Sequence, residues 1–299
     1  MTAIETLRED EVLYDVNGNS YVVQEALGTY AALVRCENVS KKIYREQLEH
    51  MMTQMEWDEY LRKKKREACQ ARLRWEKEVS QEISRRGIRR LVHFTKLENL
   101  TGILRYGLLS SQELRSRRLS VNENDTRRLD MHPECSCLSV TFPNYRLFYY
   151  FRQLDDTVDW IVLELTPDVL FSLREYPIFC PSNAASEAVR CKIGEHQASD
   201  VKSFQNMFAE ESEYRGSLMR RKNLGLSPSD TTDPQAEILF PGSIPLKYIN
   251  KIKVNDMRVQ DECQKMVLKH GIEDISVAVD QQMFSPRRDY PYWRTEYYG

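Results

Sequence analysis

IRRLVHFTKLENLTGILRYGLLS, residues 88–110, changes from a strand pattern to a helix pattern within a short distance. Apolar and aromatic side chains dominate Ile88–Thr95, which is typical of a β-strand. Apolar side chains then recur at helical spacing over Leu97–Tyr106, and Gly107 follows where a helix would end. The stretch therefore predicts a strand that passes into an amphipathic helix.

Further strands are predicted towards the C-terminus, at Cys137–Phe142, Trp160–Leu165, Ala236–Phe240, Ile249–Val254 and Ile275–Asp280. Helical segments fall between them irregularly, without the strict alternation of a doubly wound parallel sheet. The sequence contains neither a GxGxxG nor a Walker motif, so a bound dinucleotide would not be held in the Rossmann manner. These patterns favour an α+β fold.

The N-terminal region has a different pattern. Asn17-Gly18 lies between short apolar runs and predicts a tight β-hairpin. Together with a later strand, this region could close into a small barrel of the SH3 or Tudor type. From Tyr44 to Arg86 the pattern is helical and lacks Pro and Gly. The predicted domains are a β unit at 1–48, a basic helical linker at 49–87 and an α+β domain at 88–299.

A dense basic run lies on the predicted helix, with Lys63, Lys64 and Lys65 between two arginines. Such a run is commonly a solvated helix face, but it is equally suited to contact with nucleic-acid phosphates. The whole chain of 299 residues carries a formal net charge of only −2. Attraction of a polyanion would therefore depend on local charge distribution.

Composition describes a protein with an apolar core, with 41% hydrophobic and 29% charged residues. No apolar run approaches the roughly 20 residues that span a bilayer, and the acidic N-terminus does not resemble a signal peptide. We therefore expect a cytoplasmic protein with no membrane partner. The seven cysteines lack CxxC spacing. They are predicted to be reduced, and no metal is expected.

Glu237 has an unusual sequence environment. It precedes Ile238-Leu239-Phe240, so its carboxylate would lie in or beside an apolar strand. Burying an unpaired charge there is costly and suggests a functional reason. His93, at the end of a predicted strand, could equally serve as a ligand-binding group or as a structural residue.

HFTKLENLTGILRYGLLS and PQAEILF together resemble the opening and catalytic motifs of the DarT family of DNA ADP-ribosyltransferases. CLSVTFPNYRLFYYFR and DWIVLELTPDVL resemble its guanine-modifying branch. The resemblance covers about residues 88 to 290. It implies an ADP-ribosyltransferase-like core with a split, mixed or antiparallel sheet, and NAD as co-substrate.

The resemblance also implies roles for individual residues. Glu237 would be the catalytic carboxylate, and Arg128 would bind the pyrophosphate or help to activate the base. Arg127 is the adjacent alternative for the arginine. The NAD site would be formed by His93, Phe94, Thr95, Gly102 and Leu109. His93 and Thr95 would hold either the adenosine-side or the nicotinamide-side ribose and amide.

Base-modifying chemistry calls for a single-stranded or extruded nucleotide. Tyr145 and Tyr149 could stack on its bases, whereas Phe148 is expected in the core. Arg220 and Arg221, in the basic segment before Glu237, could contact phosphates, although this segment could equally be a surface loop. In the C-terminal tail, Tyr290 and Trp293 are expected to be buried.

The loop at 179–186 has two interpretations: a wall of the NAD or base site, or an ordinary turn stabilised by Asn183.

Three functions remain open at this point. The first is a toxin, from a toxin–antitoxin or phage-defence system, that modifies a base in single-stranded DNA, with guanine preferred. The second uses the same chemistry on RNA. The third is a non-catalytic nucleic-acid-binding module. In the first two cases the resemblance implies a cognate antitoxin as partner.

Overall fold

The computed structural model describes residues 7–27, 31–37, 39–48, 50–119, 130–186, 189, 198–214 and 216–293. The chain divides into two compact units, Met1–Arg74 and Trp75–Gly299, and the division falls inside one long helix. Within the described ranges, no helix has the length and apolar character needed to cross a bilayer. The expected division at 1–48, 49–87 and 88–299 stays a prediction.

The N-terminal unit contains a five-stranded antiparallel sheet with strand order β4-β3-β2-β1-β5. Its elements are β1 (Val12–Tyr14), β2 (Ser20–Leu27), β3 (Ala31–Cys36), β4 (Val39–Tyr44), α1 (Arg45–Leu48), β5 (Met52–Thr53) and the first part of α2 (Gln54–Arg86). The predicted hairpin is confirmed, because β1 and β2 pair across the Asn17-Gly18 turn. Gly18 has a φ of +86°, which glycine adopts readily.

The predicted barrel is not formed, because this sheet is open within the described residues. The two end strands of the sheet, β4 and β5, pair only with β3 and β1 respectively. The physical reason is the length of β5, which contributes only two residues and is used entirely in pairing with Leu13 and Tyr14. The core of the unit is formed instead by one face of the sheet together with Leu48 and Met51.

The long helix starts later than the sequence pattern predicted. Residues 44–53 contain α1 and β5, and α2 begins only at Gln54. The Glu56 side chain accepts a hydrogen bond from the Thr53 backbone N–H (2.9 Å), and the Glu56 backbone N–H donates to the Thr53 hydroxyl (3.4 Å). This reciprocal capping box fixes the start of the helix. The Thr53-x-x-Glu56 spacing is a local signal of this helix start.

The C-terminal unit contains the second part of α2 and most of the described strands and helices. They are β6 (Leu91–Lys96), α3 (Leu100–Tyr106), α4 (Ser111–Ser116), β7 (Cys135–Val140), α5 (Tyr145–Leu154), β8 (Trp160–Leu165), β9 (Ile178–Cys180), α6 (Val201–Asn206), β10 (Glu211–Tyr214), β11 (Ser217–Arg220), β12 (Glu237–Pro241), β13 (Ile249–Val254), α7 (Met257–Lys269) and β14 (Ser276–Val279).

A seven-stranded sheet forms the centre of this unit, with strand order β14-β13-β8-β6-β7-β12-β9. The pairs are antiparallel except for β13 with β14, which are parallel. The α+β class and the mixed sheet predicted from the sequence are therefore confirmed. Two of the predicted strands, Trp160–Leu165 and Ile249–Val254, have the same bounds in the structure.

The sheet opens between β6 and β7. Backbone pairing joins Leu91 with Val140 and Val92 with Ser139, but it does not continue to the later residues of β6. On its other side β6 pairs with β8 along its whole length, from Leu91 to Lys96. The second half of β6 is therefore held by one neighbour, and the edge facing β7 is available to form a site.

The part of α2 in the C-terminal unit packs through one apolar stripe. Trp75, Val79 and Ile83 recur every four residues and belong to the main core. The indole N–H of Trp75 donates to the backbone carbonyl of Ser199 (2.7 Å), which satisfies its buried polar atom. Period-four spacing places these side chains on one helix face, as the sequence predicted.

Two glycines, one within α3 and one directly after it, should respond oppositely to alanine. Gly107 has a φ of +81°, and a Cβ atom there would collide with the backbone carbonyl of Ile244. Gly107→Ala should lower the free energy of unfolding by more than about 1 kcal/mol. Gly102 lies within α3 with no atom near an added Cβ, so Gly102→Ala should raise it by up to about 1 kcal/mol. Urea unfolding of both variants checks this pair, and equal effects would contradict it.

Candidate active site

A cavity of about 450 Å³ occupies the opening between β6 and β7. Its walls include Val92–Thr95 from β6 and Cys135–Ser139 from β7. The volume is within the roughly 300–1,000 Å³ of small-molecule sites. The lining includes the six residues that the sequence assigned to the catalytic carboxylate and the NAD site, and these are His93, Phe94, Thr95, Gly102, Leu109 and Glu237. Tertiary structure thus brings the two sequence motifs into one site.

Glu237 is the first residue of β12 and is 8% exposed. One carboxylate oxygen, Oε2, accepts a hydrogen bond from the Ala184 backbone N–H (3.2 Å). The other, Oε1, accepts from the side-chain amide of Asn144 (3.4 Å). Hydrogen bonds to both oxygens restrict the rotation of the carboxylate. The carboxylate is therefore oriented before any ligand arrives.

Asn144 is a site residue that the sequence analysis missed. It is 1% exposed and caps α5, because its side-chain oxygen accepts from the Leu147 backbone N–H (3.2 Å). Its amide group donates to Glu237, 93 positions away in the sequence. An Asn before an apolar helix signals the cap, but no local pattern signals the contact with Glu237.

A buried cysteine lies beside Glu237 on the neighbouring strand. Cys180 of β9 pairs with Glu237 of β12 in the sheet register. Burial raises the pKa of the Cys180 thiol, and the negative charge of Glu237 raises it further. Cys180 is therefore a neutral packing residue and not a thiolate nucleophile.

His93 is fixed by a hydrogen bond across the opening. Its Nδ1 lies 2.8 Å from the backbone carbonyl of Cys137. A carbonyl oxygen only accepts, so Nδ1 carries the proton in this bond. In the neutral tautomer, Nε2 is then the nitrogen that can accept a hydrogen bond from a ligand. The structural and the ligand-binding interpretations of His93 are compatible, since each uses a different nitrogen.

Thr95 and Gly102 contribute in different ways to the same wall. Thr95 is 4% exposed, and its hydroxyl oxygen accepts from the Asn99 amide (3.0 Å). Gly102 lies in α3 with open space where a Cβ would be. A glycine there lets a ligand approach the helix backbone closely. Phe94 stacks on Phe148 with ring centroids 4.6 Å apart, which links the cavity wall to an aromatic core.

The arginines expected at the site, Arg127 and Arg128, lie outside the described residues. Asp130, just after them, lines the cavity and is 7% exposed. Its carboxylate accepts from the His132 backbone N–H (3.2 Å) and from the Cys137 thiol (3.6 Å). Both arginine roles stay predictions.

The predicted nucleic-acid-binding tyrosines differ in exposure. Tyr149 is 54% exposed on α5, so its ring is available for stacking. Tyr145 is 4% exposed, and its ring packs edge-on against Tyr290. Burial covers the Tyr145 ring in this structure, and its stacking role stays a prediction. Phe148, expected in the core, is 1% exposed.

The Arg221 guanidinium bonds within the protein, and its phosphate contact stays a prediction. The guanidinium donates to the backbone carbonyls of Ser227 (2.7 Å) and Asp230 (2.8 Å) and to the Thr232 hydroxyl (3.0 Å). It thus organises the segment before Glu237. Arg220 remains accessible at 53% side-chain exposure, although it forms an ion pair with Glu211 (3.2 Å).

The basic run on α2 is exposed. All residues from 61 to 71 are exposed, including Lys63, Lys64 and Lys65. Lys64 lies 3.7 Å from the carboxylate of Glu67, and this is a surface ion pair of little energetic weight. These lysines belong to the N-terminal unit, and their nucleic-acid role stays a prediction.

Both interpretations of the 179–186 loop hold in part. Asn183 and Ala185 line the cavity, as expected for a wall of the site. The Asn183 side chain also accepts from the Ala185 backbone N–H (2.7 Å), as expected for a stabilised turn. In the tail, Trp293 is buried as predicted, whereas Tyr290 is 37% exposed and the prediction of its burial is wrong.

One potential metal-ligand group occurs among the described residues. His132, Glu134 and Cys135 place their ligand atoms within 4.8 Å of one another. However, His132 already contacts the Glu134 carboxylate (2.8 Å), and the Cys135 thiol donates to the same oxygen (3.8 Å). Structural zinc sites use four ligands. The sequence-based expectation of no metal stays a prediction.

One comparison with known proteins identifies a family. A family model described as DarT, ssDNA thymidine ADP-ribosyltransferase, matches residues 92–285, which is more than half of the chain. A comparison with curated proteins found no match.

Similar solved structures include Thermosipho africanus DarTG in complex with ADP-ribose, at 19% identity and a TM-score of 0.43. That alignment covers 66% of this chain and 51% of the DarTG chain, so it spans about half of DarTG. Thermus sp. 2.9 DarT in complex with NAD+ has 14% identity and a TM-score of 0.42, with 66% and 97% coverage. The same Thermus protein with ADP-ribosylated ssDNA has 16% identity and a TM-score of 0.41, with 67% and 97% coverage.

Asn144→Asp should introduce a pH-dependent loss of stability. Aspartate caps a helix as well as asparagine, but its carboxylate would face Glu237 and would raise the pKa of one of the two groups. Protonation relieves this repulsion at low pH, so the loss should grow as pH rises through the raised pKa. The free energy of unfolding should fall by roughly 1–4 kcal/mol more at pH 8 than at pH 4.5.

Urea unfolding at both pH values measures this difference. Asn144→Ala is the comparison, since it removes both the cap and the donor to Glu237 without adding a charge, so its loss should change less between the two pH values than that of Asn144→Asp. An equal loss for Asn144→Asp at the two pH values would mean that residue 144 does not interact with the Glu237 charge.

Proposed function

The chain belongs to the DarT family of ADP-ribosyltransferases, and on that premise we propose that it transfers ADP-ribose from NAD+ to a base of single-stranded DNA. One observation carries the proposal: Glu237, buried and held by two donors, lines the same cavity as His93 and Thr95. A preorganised carboxylate in a partly closed site is suited to stabilising positive charge.

Each step of the reaction can be assigned to a group of this site. The bond between the ribose C1′ and the nicotinamide nitrogen breaks, nicotinamide leaves, and the ribose gains oxocarbenium character. The Glu237 carboxylate stabilises that charge and orients the 2′-hydroxyl. A nitrogen of the base then bonds to C1′ and loses its proton, for which Glu237 is the proposed acceptor.

His93 and Thr95 would hold NAD+ from the β6 side. Nε2 of His93 is suited to accepting a hydrogen bond from a ribose hydroxyl, because Nδ1 is already bonded to Cys137. Gly102 and Leu109 would form the adjoining wall. Arg128, or Arg127 in its place, remains the proposed partner of the pyrophosphate.

The acceptor base is proposed to be guanine, since the segments around residues 137–152 and 159–170 resemble the guanine-modifying branch. The family description instead names thymidine, so thymine is the alternative base. Single-stranded DNA is preferred over RNA because that description names ssDNA. A non-catalytic module would require loss of the site, whereas Glu237 and both of its donors are in place.

The proposed biological role is that of a toxin, because modification of bases would block the use of DNA as a template. A cognate antitoxin is then the expected protein partner. The role in phage defence is part of the same proposal. Co-expression with a neighbouring gene that relieves growth inhibition would identify the antitoxin.

Glu237→Gln should lower transfer of labelled ADP-ribose by at least about 10²-fold, because the amide cannot stabilise the positive charge. The assay uses NAD+ labelled in the ADP-ribose group and matched DNA and RNA oligonucleotides that each contain one guanine or one thymine. Glu273→Gln, at an exposed position, is the control. Label on RNA alone would establish the alternative acceptor. Absence of label on every oligonucleotide would overturn the proposed transfer.

The basic run should contribute a salt-dependent part of DNA binding. Replacing Lys63, Lys64 and Lys65 by alanine should weaken binding of single-stranded DNA at low salt and reduce the slope of log K against log salt by up to about 2. A matched loss of charge at exposed Lys247, Lys265 and Lys269 is the control. Fluorescence anisotropy at several salt concentrations measures the slope. Equal slopes for the wild type and the first variant would assign the run to solubility.

A further inference from the structure

Asp233 lies four positions before Glu237 and is almost completely buried, at 1% exposure. Its Oδ2 accepts a hydrogen bond from the Ser182 hydroxyl (2.6 Å), and its Oδ1 accepts from the Gln235 backbone N–H (2.7 Å). The first bond reaches a separate loop, 51 positions away, and the second stays within the turn that leads into β12. One carboxylate therefore joins two segments of the site.

The loop held by Ser182 is the one that holds Glu237. Ser182 is two residues before Ala184, whose backbone N–H donates to Glu237 Oε2 (3.2 Å). Between them, Asn183 accepts from the Ala185 backbone N–H and tightens the turn. The contacts form a closed circuit that runs from Glu237 through Ala184 and Ser182 to Asp233, and back along the chain to Glu237.

A second buried network fixes the segment beside Asp233. Arg287 is 8% exposed, and its guanidinium makes a two-point ion pair with Asp289 (2.7 and 2.6 Å). It also contacts the backbone carbonyl of Thr232 (3.4 Å). The indole N–H of Trp293 donates to the same Asp289 carboxylate (2.7 Å). The C-terminal residues thus restrain the position next to Asp233.

Burying a carboxylate costs free energy, so its presence in this turn needs an explanation. An asparagine has a single side-chain acceptor oxygen, whereas a carboxylate can accept from Ser182 and from Gln235 at the same time. The circuit requires both acceptors, and no other group of the turn reaches Ser182 through a side-chain contact that the structure describes.

We propose that Asp233 is a positioning residue that orients the Glu237 carboxylate through Ser182 and the Ala184 backbone N–H. This inference rests on the proposed function, since it assigns Glu237 the catalytic role. Asp233 does not line the cavity and acts only through other groups.

The positioning role of Asp233 predicts that activity falls on the acidic side of the pH–activity profile, which is called its acidic limb below. Burial raises the pKa of Asp233, while the hydrogen bonds from Ser182 and Gln235 and the positive charges of Arg287 and Arg146 oppose that rise. Tyr145 also faces this group. Activity that needs ionised Asp233 is lost as pH falls through its pKa. Removing the Ser182 hydroxyl raises that pKa further and should move the acidic limb to higher pH.

The test compares Asp233→Asn, Ser182→Ala and the double variant in the full chain. We expect kcat for label transfer to fall about 10–10²-fold in each, as for small misplacements of catalytic groups. KM for NAD+ should change less than about threefold, and the double variant should be no slower than the slower single variant. Ser182→Thr keeps a hydroxyl donor and should retain most of the wild-type kcat. Independent, multiplicative losses in the double variant would overturn the inference.

Asp230→Asn is the matched control, since the described hydrogen bond of the Asp230 side chain is local, from the Ser227 backbone N–H (2.9 Å), and an asparagine oxygen can still accept it. Its kcat and acidic limb should stay at wild-type values. Melting temperatures of all variants separate loss of fold from loss of position.

Hydrogen exchange at the Ala184 amide gives a readout that does not depend on catalysis. Exchange should become at least about tenfold faster in Asp233→Asn and Ser182→Ala, while the amide of Val162 in the central strand β8 stays protected. If the wild type transfers no label, the proposed function fails, but this exchange experiment still decides whether Asp233 holds Ala184. Unchanged protection of Ala184 would overturn the positioning role.

Discussion

The separation of β6 from β7 is the constraint on which the site depends. Pairing stops after Val92, so backbone groups that would otherwise bond across the sheet must find other partners. The His93 imidazole provides one such partner by bonding to the Cys137 carbonyl. The imidazole thus takes the place of a backbone hydrogen bond between the two strands. The space that closer strand pairing would have filled becomes the cavity. The strand remains rigid because β8 pairs with it throughout.

The same sheet supplies the rigid support for the acidic group. Glu237 starts a strand that is paired on both sides, with β7 and β9, so its backbone has little freedom. Its carboxylate is then oriented by donors from two other segments, Asn144 and Ala184. Rigid strands with oriented side chains favour a preorganised site, because little reorganisation is needed when charge develops.

Charge is distributed unevenly along this chain. The net charge is close to zero, yet the exposed part of α2 carries a concentrated basic run. In the C-terminal unit, by contrast, the Arg221 guanidinium donates to backbone carbonyls, and the Arg287 guanidinium forms a buried ion pair. Arginines in a basic segment can therefore organise a loop as well as contact a phosphate.

The sequence by itself determined the local features of this protein. Apolar strand-like runs predicted β8 and β13, and period-four spacing predicted the apolar stripe of α2. Two motifs predicted six of the residues that line the cavity, because all of these signals depend on near neighbours in the chain. Only the tertiary structure decided that Asn144 and Ala184 hold Glu237, that Tyr145 is buried and that the N-terminal sheet stays open. Those outcomes depend on which distant donors, acceptors and strand edges meet after folding, and that information is absent from any short stretch of sequence.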